Sequence, residues 1–122
     1  ALIMGCDQDP EVLEQARFNA HQCGVEDHIQ LVQRDITHLD APADQGILLC
    51  NPPYGERLGS AETLGDFYKL LGDVFKQRFK GWTAFVLSGN PQLTKQIGLR
   101  PARRMIVFNG TIECRLLKYE LY

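Results

Sequence analysis

Asn51-Pro52-Pro53-Tyr54 combines residue types that could do chemistry at one point of the chain. It follows the apolar run Gly46-Ile47-Leu48-Leu49-Cys50, so it falls where a buried strand is expected to end. Pro52 and Pro53 each fix φ at about −65° and have no N–H to continue a sheet ladder. Each also pushes the residue before it toward extended conformations, which makes the corner stiff. The Asn51 side-chain oxygen and the Pro52 carbonyl can then both face a cleft as acceptors, and Tyr54 offers a face on which a flat ring can stack. Such a corner is suited to holding a planar amine against an electrophilic methyl group. An exocyclic amine on a conjugated ring is a poor nucleophile, because its lone pair is delocalised. Two acceptors on its two N–H bonds favour a pyramidal nitrogen and aim the lone pair, by orientation and preorganised electrostatics and without a strong base. The competing reading is a turn that merely terminates a strand.

The elements that would position this corner follow from periodicity and capping. Ala1 to Cys6 reads as a short buried strand. Pro10 to Cys23 reads as a helix with Asp9 as its cap, and Val12, Leu13, Ala16, Ala20 and Cys23 form its apolar stripe. Gly24 is a natural terminator. Ile29 to Gln33 is a second strand, and Gly46 to Cys50 a third, apolar on both faces as in a central parallel strand. Ala61 to Phe79 is a long helix with Leu64, Phe67, Tyr68, Leu71, Val74, Phe75 and Phe79 along one side. Trp82 to Leu87 is a fourth strand and Pro91 to Ile97 a short helix opened by Asn90. Met105 to Phe108 and Ile112 to Tyr119 are two strands joined around Asn109-Gly110, a hairpin signal. The order β-α-β-β-α-β-α-β-β predicts an α/β fold, a mostly parallel sheet closed by an antiparallel hairpin. It reads as one domain, 1–122, with no repeat or linker.

Composition narrows the setting. The 122 residues are 44% hydrophobic and 23% charged, ordinary for a globular domain. No run approaches the ~20 apolar residues of a membrane span, so no membrane partner is expected. Four cysteines at 6, 23, 50 and 114 lack the spacing of zinc sites or redox dithiols. Buried, reduced thiols and a cytoplasmic location are expected, and no metal. His21, His28 and His38 show no metal-ligand pairing either. The net charge of −2 hides an asymmetry: residues 1–51 carry −7 and residues 52–122 carry +5. An acidic first half suits a cofactor with a cationic centre and ribose hydroxyls, and a basic second half suits nucleic acid. An uneven scatter of solvated charge is the alternative. Ser88 lacks the Gly-x-Ser-x-Gly context of a hydrolase nucleophile.

Taken together, these segments resemble a class I S-adenosylmethionine-dependent methyltransferase from its second strand onward. Gly5-Cys6-Asp7-Gln8-Asp9-Pro10 resembles the end of that fold's second strand. Asn19-Ala20 to Gly24-Val25 resembles the end of the following helix, and Gln33-Arg34-Asp35-Ile36 the end of the third strand. Asn51-Pro52-Pro53-Tyr54 resembles the amino-methyltransferase signature. The extension Tyr54-Gly55-Glu56-Arg57-Leu58-Gly59, with Asn109-Gly110-Thr111-Ile112-Glu113-Cys114, is similar to the bacterial 23S ribosomal RNA guanine-N2 methyltransferases. In that family the catalytic domain follows an N-terminal THUMP RNA-binding domain.

The resemblance implies a Rossmann-like fold, S-adenosyl-L-methionine as cofactor and ribosomal RNA as partner. It implies that Asp7 binds the cofactor's ribose hydroxyls, with Gln8 beside its adenine or ribose. Asp35 would accept from the adenine amine, with Ile36 against the ring. Asn51 and Pro52, with Pro53 and Tyr54, would form the catalytic corner, Asn51 also bordering the cofactor. Tyr54, Glu56 and Arg57 would meet the substrate base and phosphate. Each role has a plain competitor. The competitor for Asp35 is a turn former, for Tyr54 a core aromatic, and for Glu56 and Arg57 solvated loop charges. Asp9 caps the helix, whereas Asp7 sits too early to do so.

The family's first strand and glycine-rich loop precede the segment where this sequence begins, so the chain is expected to be an excised piece of a longer protein. The missing strand is the central one. Its neighbours are expected to leave a gap or to find a new partner, and an uncovered apolar edge invites self-association. Weak or absent cofactor binding by the piece alone is expected. Alternative substrates are adenine N6 of DNA and a protein glutamine amide. Alternative classes are a nucleotide-binding module without transferase activity and a non-catalytic interaction fragment.

Overall fold

The structure is a computed structural model that describes residues 2–53 and 61–122. The chain forms two compact units, Ala1–Leu39 and Asp40–Tyr122. In the first, β1 (Ile3–Asp7), α1 (Pro10–Gln22) and β2 (Ile29–Gln33) make a parallel β-α-β unit. Ile3 pairs with Ile29 and Asp7 with Gln33, so both strands end together. Asp9 caps α1 by accepting from the Glu11 N–H at 2.9 Å, with Pro10 in the first turn. Gly24, at φ +70°, ends the helix while the Val25 N–H closes on the Ala20 carbonyl at 2.9 Å. Leu13 and Ala20 are buried, whereas Val12 and Cys23 are exposed. The expected stripe is therefore narrower. Cys23 is the C-cap, one residue past the last helical turn, so its thiol is not buried as expected.

In the second unit, β3 (Ile47–Cys50), β4 (Thr83–Ser88), β5 (Arg103–Asn109) and β6 (Ile112–Glu120) form a sheet in the order β3-β4-β6-β5. β3 runs parallel to β4, and the other two ladders are antiparallel. Helix α2 (Ala61–Arg78) lies over one face. There its Tyr68 reaches Ser88 at 3.1 Å, and the Phe75 ring tilts against Tyr119 with centroids 6.4 Å apart. The core is Leu64, Tyr68, Leu71, Val74, Phe75 and Phe79 of α2 against Ala84 and Val86 of β4 and Leu117 and Tyr119 of β6. Each such side chain contributes on the order of 1.5–3 kcal/mol by leaving water. The short helix α3 (Pro91–Thr94) continues as a 3₁₀ turn, Lys95–Ile97, that docks on α2.

Three expectations change. The nine elements appear in the expected order, but β1 pairs with β2 alone and β3 with β4 alone among the described residues. The strands therefore form two sheets and not one, and of the two outcomes expected for the open edges the described residues show the gap. β3 does not read as a central strand among the described residues: it pairs with β4 alone, and Ile47 and Leu49 are 72% and 71% exposed. The hairpin loop is Gly110-Thr111 and not Asn109-Gly110, since Asn109 still pairs with Ile112. Only Gly110 of the two has a positive φ (+64°), the sign pattern of a type II′ turn.

Two glycines of α2 give opposite predictions. A Cβ at Gly72 would collide with the Ile97 carbonyl, whereas one at Gly65 would meet only Gln96 Cγ at 3.9 Å. Gly72→Ala is expected to cost about 1–3 kcal/mol by overpacking. Gly65→Ala is expected to gain about 0.5–1 kcal/mol of helix propensity. Thermal melts of the two variants should shift in opposite directions.

Candidate active site

Two clusters of polar groups lie at carboxyl ends of parallel strands, one in each unit. This is the end of an open α/β sheet at which ligands bind. In the first unit, Asp7 closes β1 and Asp35 follows β2 by two residues. The Asp7 carboxylate uses Oδ1 to accept from the Asp9 N–H at 2.8 Å, which turns the chain into α1. The Arg34 N–H donates to the Asp7 carbonyl at 3.0 Å, and Gln33 Nε2 to the Gln8 carbonyl at 3.3 Å. These bonds tie the two strand ends together and leave the Gln8 side chain exposed.

Asp35 Oδ1 accepts from both the Thr37 N–H and the Thr37 hydroxyl, each at 2.8 Å, and so caps the 3₁₀ turn Ile36–His38. Those two bonds hold the Asp35 carboxyl below the usual carboxylate range. The turn-former reading of Asp35 is thus realised, but it occupies one oxygen only. For Asp7 and Asp35 alike, Oδ2 has no hydrogen-bond partner among the described residues. Two fixed carboxylates, each with a spare acceptor, Asp7 half-buried and Asp35 exposed, can receive hydroxyl or amine donors. Ile36 beside them is half-buried and offers apolar surface.

In the second unit, the Cys50–Val86 pair is the last of the β3–β4 ladder, so Asn51 lies just beyond it. Pro52 is buried, Pro53 half-buried and Asn51 exposed, and the Asn51 amide makes no hydrogen bond with any described residue. The corner is therefore anchored by its prolines while its amide remains available. Burial pushes the Cys50 thiol up to about 12, so it stays protonated and is no nucleophile beside Asn51. Tyr54, Glu56 and Arg57 lie outside the described residues.

A supporting pair was not legible in the sequence. Tyr68 and Ser88 are both buried, and their hydroxyls are 3.1 Å apart. Ser88 Oγ also accepts from the Asn90 N–H at 3.2 Å, and Asn90 Oδ1 accepts from the Gln92 and Leu93 N–H groups to cap α3. Helix α2 is thereby tied to the carboxyl end of β4, the strand that holds β3 in register. The visible signal was only a serine at a strand end followed by Gly89-Asn90-Pro91.

His21 pairs with Glu26 at 2.9 Å and Arg78 with Asp40 at 3.0 Å. Among the described residues no three metal-ligating side chains come together, and no helix is long and apolar enough to cross a membrane.

Residues 1–118 match the family described as the RMKL-like methyltransferase domain (UPF0020). The chain belongs to that family. It is 53% identical over 122 residues to "Putative RNA methyltransferase slr0064" of Synechocystis sp., covering all of this chain and 32% of that protein. It is 38% identical over 123 residues to "Ribosomal RNA large subunit methyltransferase K/L" of Syntrophotalea carbinolica, covering 98% of this chain and 17% of that protein. The chain thus spans a third or less of the length of these relatives. Among solved structures, that of SMU.472 in complex with SAH superposes with a TM-score of 0.90 at 29% identity, over 98% of this chain and 32% of that one. The α/β methyltransferase fold, with its closing antiparallel hairpin, is therefore that of the family.

The Thr37 bonds make a prediction. Asp35 has a depressed pKa when folded, so its contribution to stability is present above the unfolded carboxylate pKa and is lost as pH falls through the folded one. Thr37→Val removes the hydroxyl donor. The Asp35 carboxyl should then titrate at higher pH by carbon-detected NMR, and the stability gap to the unsubstituted protein should close in acid.

Proposed function

We propose that the protein carrying this chain transfers a methyl group from S-adenosylmethionine to an exocyclic amine of a nucleobase, guanine N2 in large-subunit ribosomal RNA. On this reading the two units are parts of one catalytic domain. The observation that carries it is Asn51: a side-chain amide with no hydrogen-bond partner among the described residues, on a diproline corner anchored by buried Pro52 at the end of β3. The names of the relatives support RNA as the substrate class. The basic balance of residues 52–122 agrees with a polyanionic partner, and the four free thiols agree with a cytoplasmic setting.

The residues of the first unit fit the cofactor's donors. Asp7 and Asp35 each keep one oxygen in hand, suited to the ribose hydroxyls and the adenine amine, with Gln8 and Ile36 alongside. When bound, the cofactor would supply a methyl group on a sulfonium centre, its S–CH3 bond breaking as the C–N bond forms and leaving a neutral thioether.

The substrate side rests on Asn51, Pro52, Pro53 and Tyr54. Asn51 Oδ1 and the Pro52 carbonyl oxygen accept the two N–H bonds of the amine and hold its protons while the nitrogen lone pair is directed outward. Both acceptors are neutral, so no proton need leave before the C–N bond forms. The methylated nitrogen then sheds a proton to water. Tyr54 stacks on a base taken out of its stack, and Glu56 and Arg57 meet its edge and the phosphate backbone.

Replacing Asn51 by Ala in the full-length protein is expected to lower kcat by about 10²–10³-fold, the usual worth of one preorganised donor or acceptor. The KM values for RNA and cofactor should stay nearly unchanged. An equal loss of cofactor affinity would make Asn51 structural. Digestion of methylated RNA to nucleosides should give N2-methylguanosine. N6-methyladenosine as the product would reassign the substrate base.

A further inference from the structure

Strand β5 forms the outer edge of the four-stranded sheet, and along one face its alternate side chains are exposed among the described residues. Arg104, Ile106 and Phe108 alternate along that face, all exposed, with Ile106 at 60% and Phe108 at 67%. Arg115 of β6 stands opposite Ile106. Glu113 stands opposite Phe108 and pairs with Arg115 at 3.0 Å, Arg103 alternates onto the opposite face, and Arg100, exposed, precedes the strand. Neither Arg100 nor Arg104 forms an ion pair among the described residues. The cations belong to a longer bias. Residues 74–112 hold seven lysines and arginines and no carboxylate. Edge strands do carry cations as protection against pairing. That explains the arginines but not two large apolar side chains left in water beside them.

We propose that this face of β5 is a docking surface for single-stranded RNA, an inference that rests on the reading of the protein as an RNA-modifying enzyme. Bases stack on Phe108 and lie against Ile106, while Arg104 and Arg100 take the phosphates. Side chains at i and i+2 of a strand recur about every 7 Å, a repeat that keeps step with an extended polynucleotide. Aromatic stacking gives affinity without base readout. Guanidinium groups that lack protein partners are free to form forked bonds to phosphate oxygens. The surface therefore holds the strand without choosing the base, and the choice is left to the Asn51 corner. A second copy of the chain, offering its acidic first half, is the competing occupant.

The test uses the full-length protein and a single-stranded ribosomal RNA oligonucleotide, with binding followed by fluorescence anisotropy across a salt series. Losing two phosphate contacts through Arg100→Gln with Arg104→Gln should weaken binding and flatten the log–log salt slope by about 1.4, at roughly 0.7 per contact for a single strand. Phe108→Ala should weaken binding roughly tenfold with the slope unchanged, and Phe108→Tyr should restore it. Affinity for S-adenosylhomocysteine and the thermal midpoint should match the unsubstituted protein in every variant. Unchanged RNA affinity and slope in both the arginine and the alanine variants, with methylation intact, would overturn the surface and leave the proposed activity standing. So would a change in sedimentation without a change in RNA binding, which would assign the face to self-association. The expected binding losses in a protein that yields no methylated RNA would do the reverse.

Discussion

A strand that ends in two prolines can neither extend its ladder nor bend freely, and the account of this protein depends on that constraint. The β3–β4 ladder ends at Cys50 and Val86, and buried Pro52 fixes the direction in which the chain leaves. An amide on such a corner loses little further freedom when it meets a ligand. Its hydrogen bonds are oriented before binding and not at the expense of it. Asn51 is useful because the fold around it satisfies its own polar groups elsewhere.

The same economy recurs in the other clusters. Asp7 and Asp35 each spend one carboxylate oxygen on the backbone that positions them and keep one. Ser88 accepts from the Asn90 N–H and meets the Tyr68 hydroxyl, so a buried polar pair fastens α2 to the end of β4. No described buried side-chain polar atom lacks a hydrogen bond. Rigidity at the strand ends thus comes from satisfied networks behind the exposed groups. The neutral Cys50 thiol adds no competing charge at the corner.

Much of this was legible in the sequence because its signals are local. Periodicity fixed the order of the elements, and Asp9, Gly24 and Asn90 marked helix ends by their own backbone chemistry. β5 begins two residues earlier than its apolar pattern implied. Arg103 and Arg104 look like loop residues, yet they pair with Lys118 and Leu117 on an edge where polar side chains face water. The Asn109-Gly110 dipeptide signalled a hairpin correctly, but its register is set by the β6 partner and not by the dipeptide itself. What stayed hidden was non-local. The exposure of Ile47 and Leu49 depends on what covers a face, and periodicity cannot report a missing layer. The role of Ser88 depends on Tyr68, twenty residues away on another element. Asp7 and Asp35 were singled out by family resemblance, and Asn51 by residue type and position. The division of labour within each carboxylate was visible only in three dimensions.

The most direct test of the central claim is a crystal structure of the full-length protein with S-adenosylhomocysteine and a guanine-containing RNA fragment. The account predicts that Asn51 Oδ1 and the Pro52 carbonyl oxygen both lie at hydrogen-bond distance, about 2.7–3.2 Å, from the exocyclic nitrogen of the target base. A target amine held by other groups, or those two oxygens turned away from it, would contradict the account.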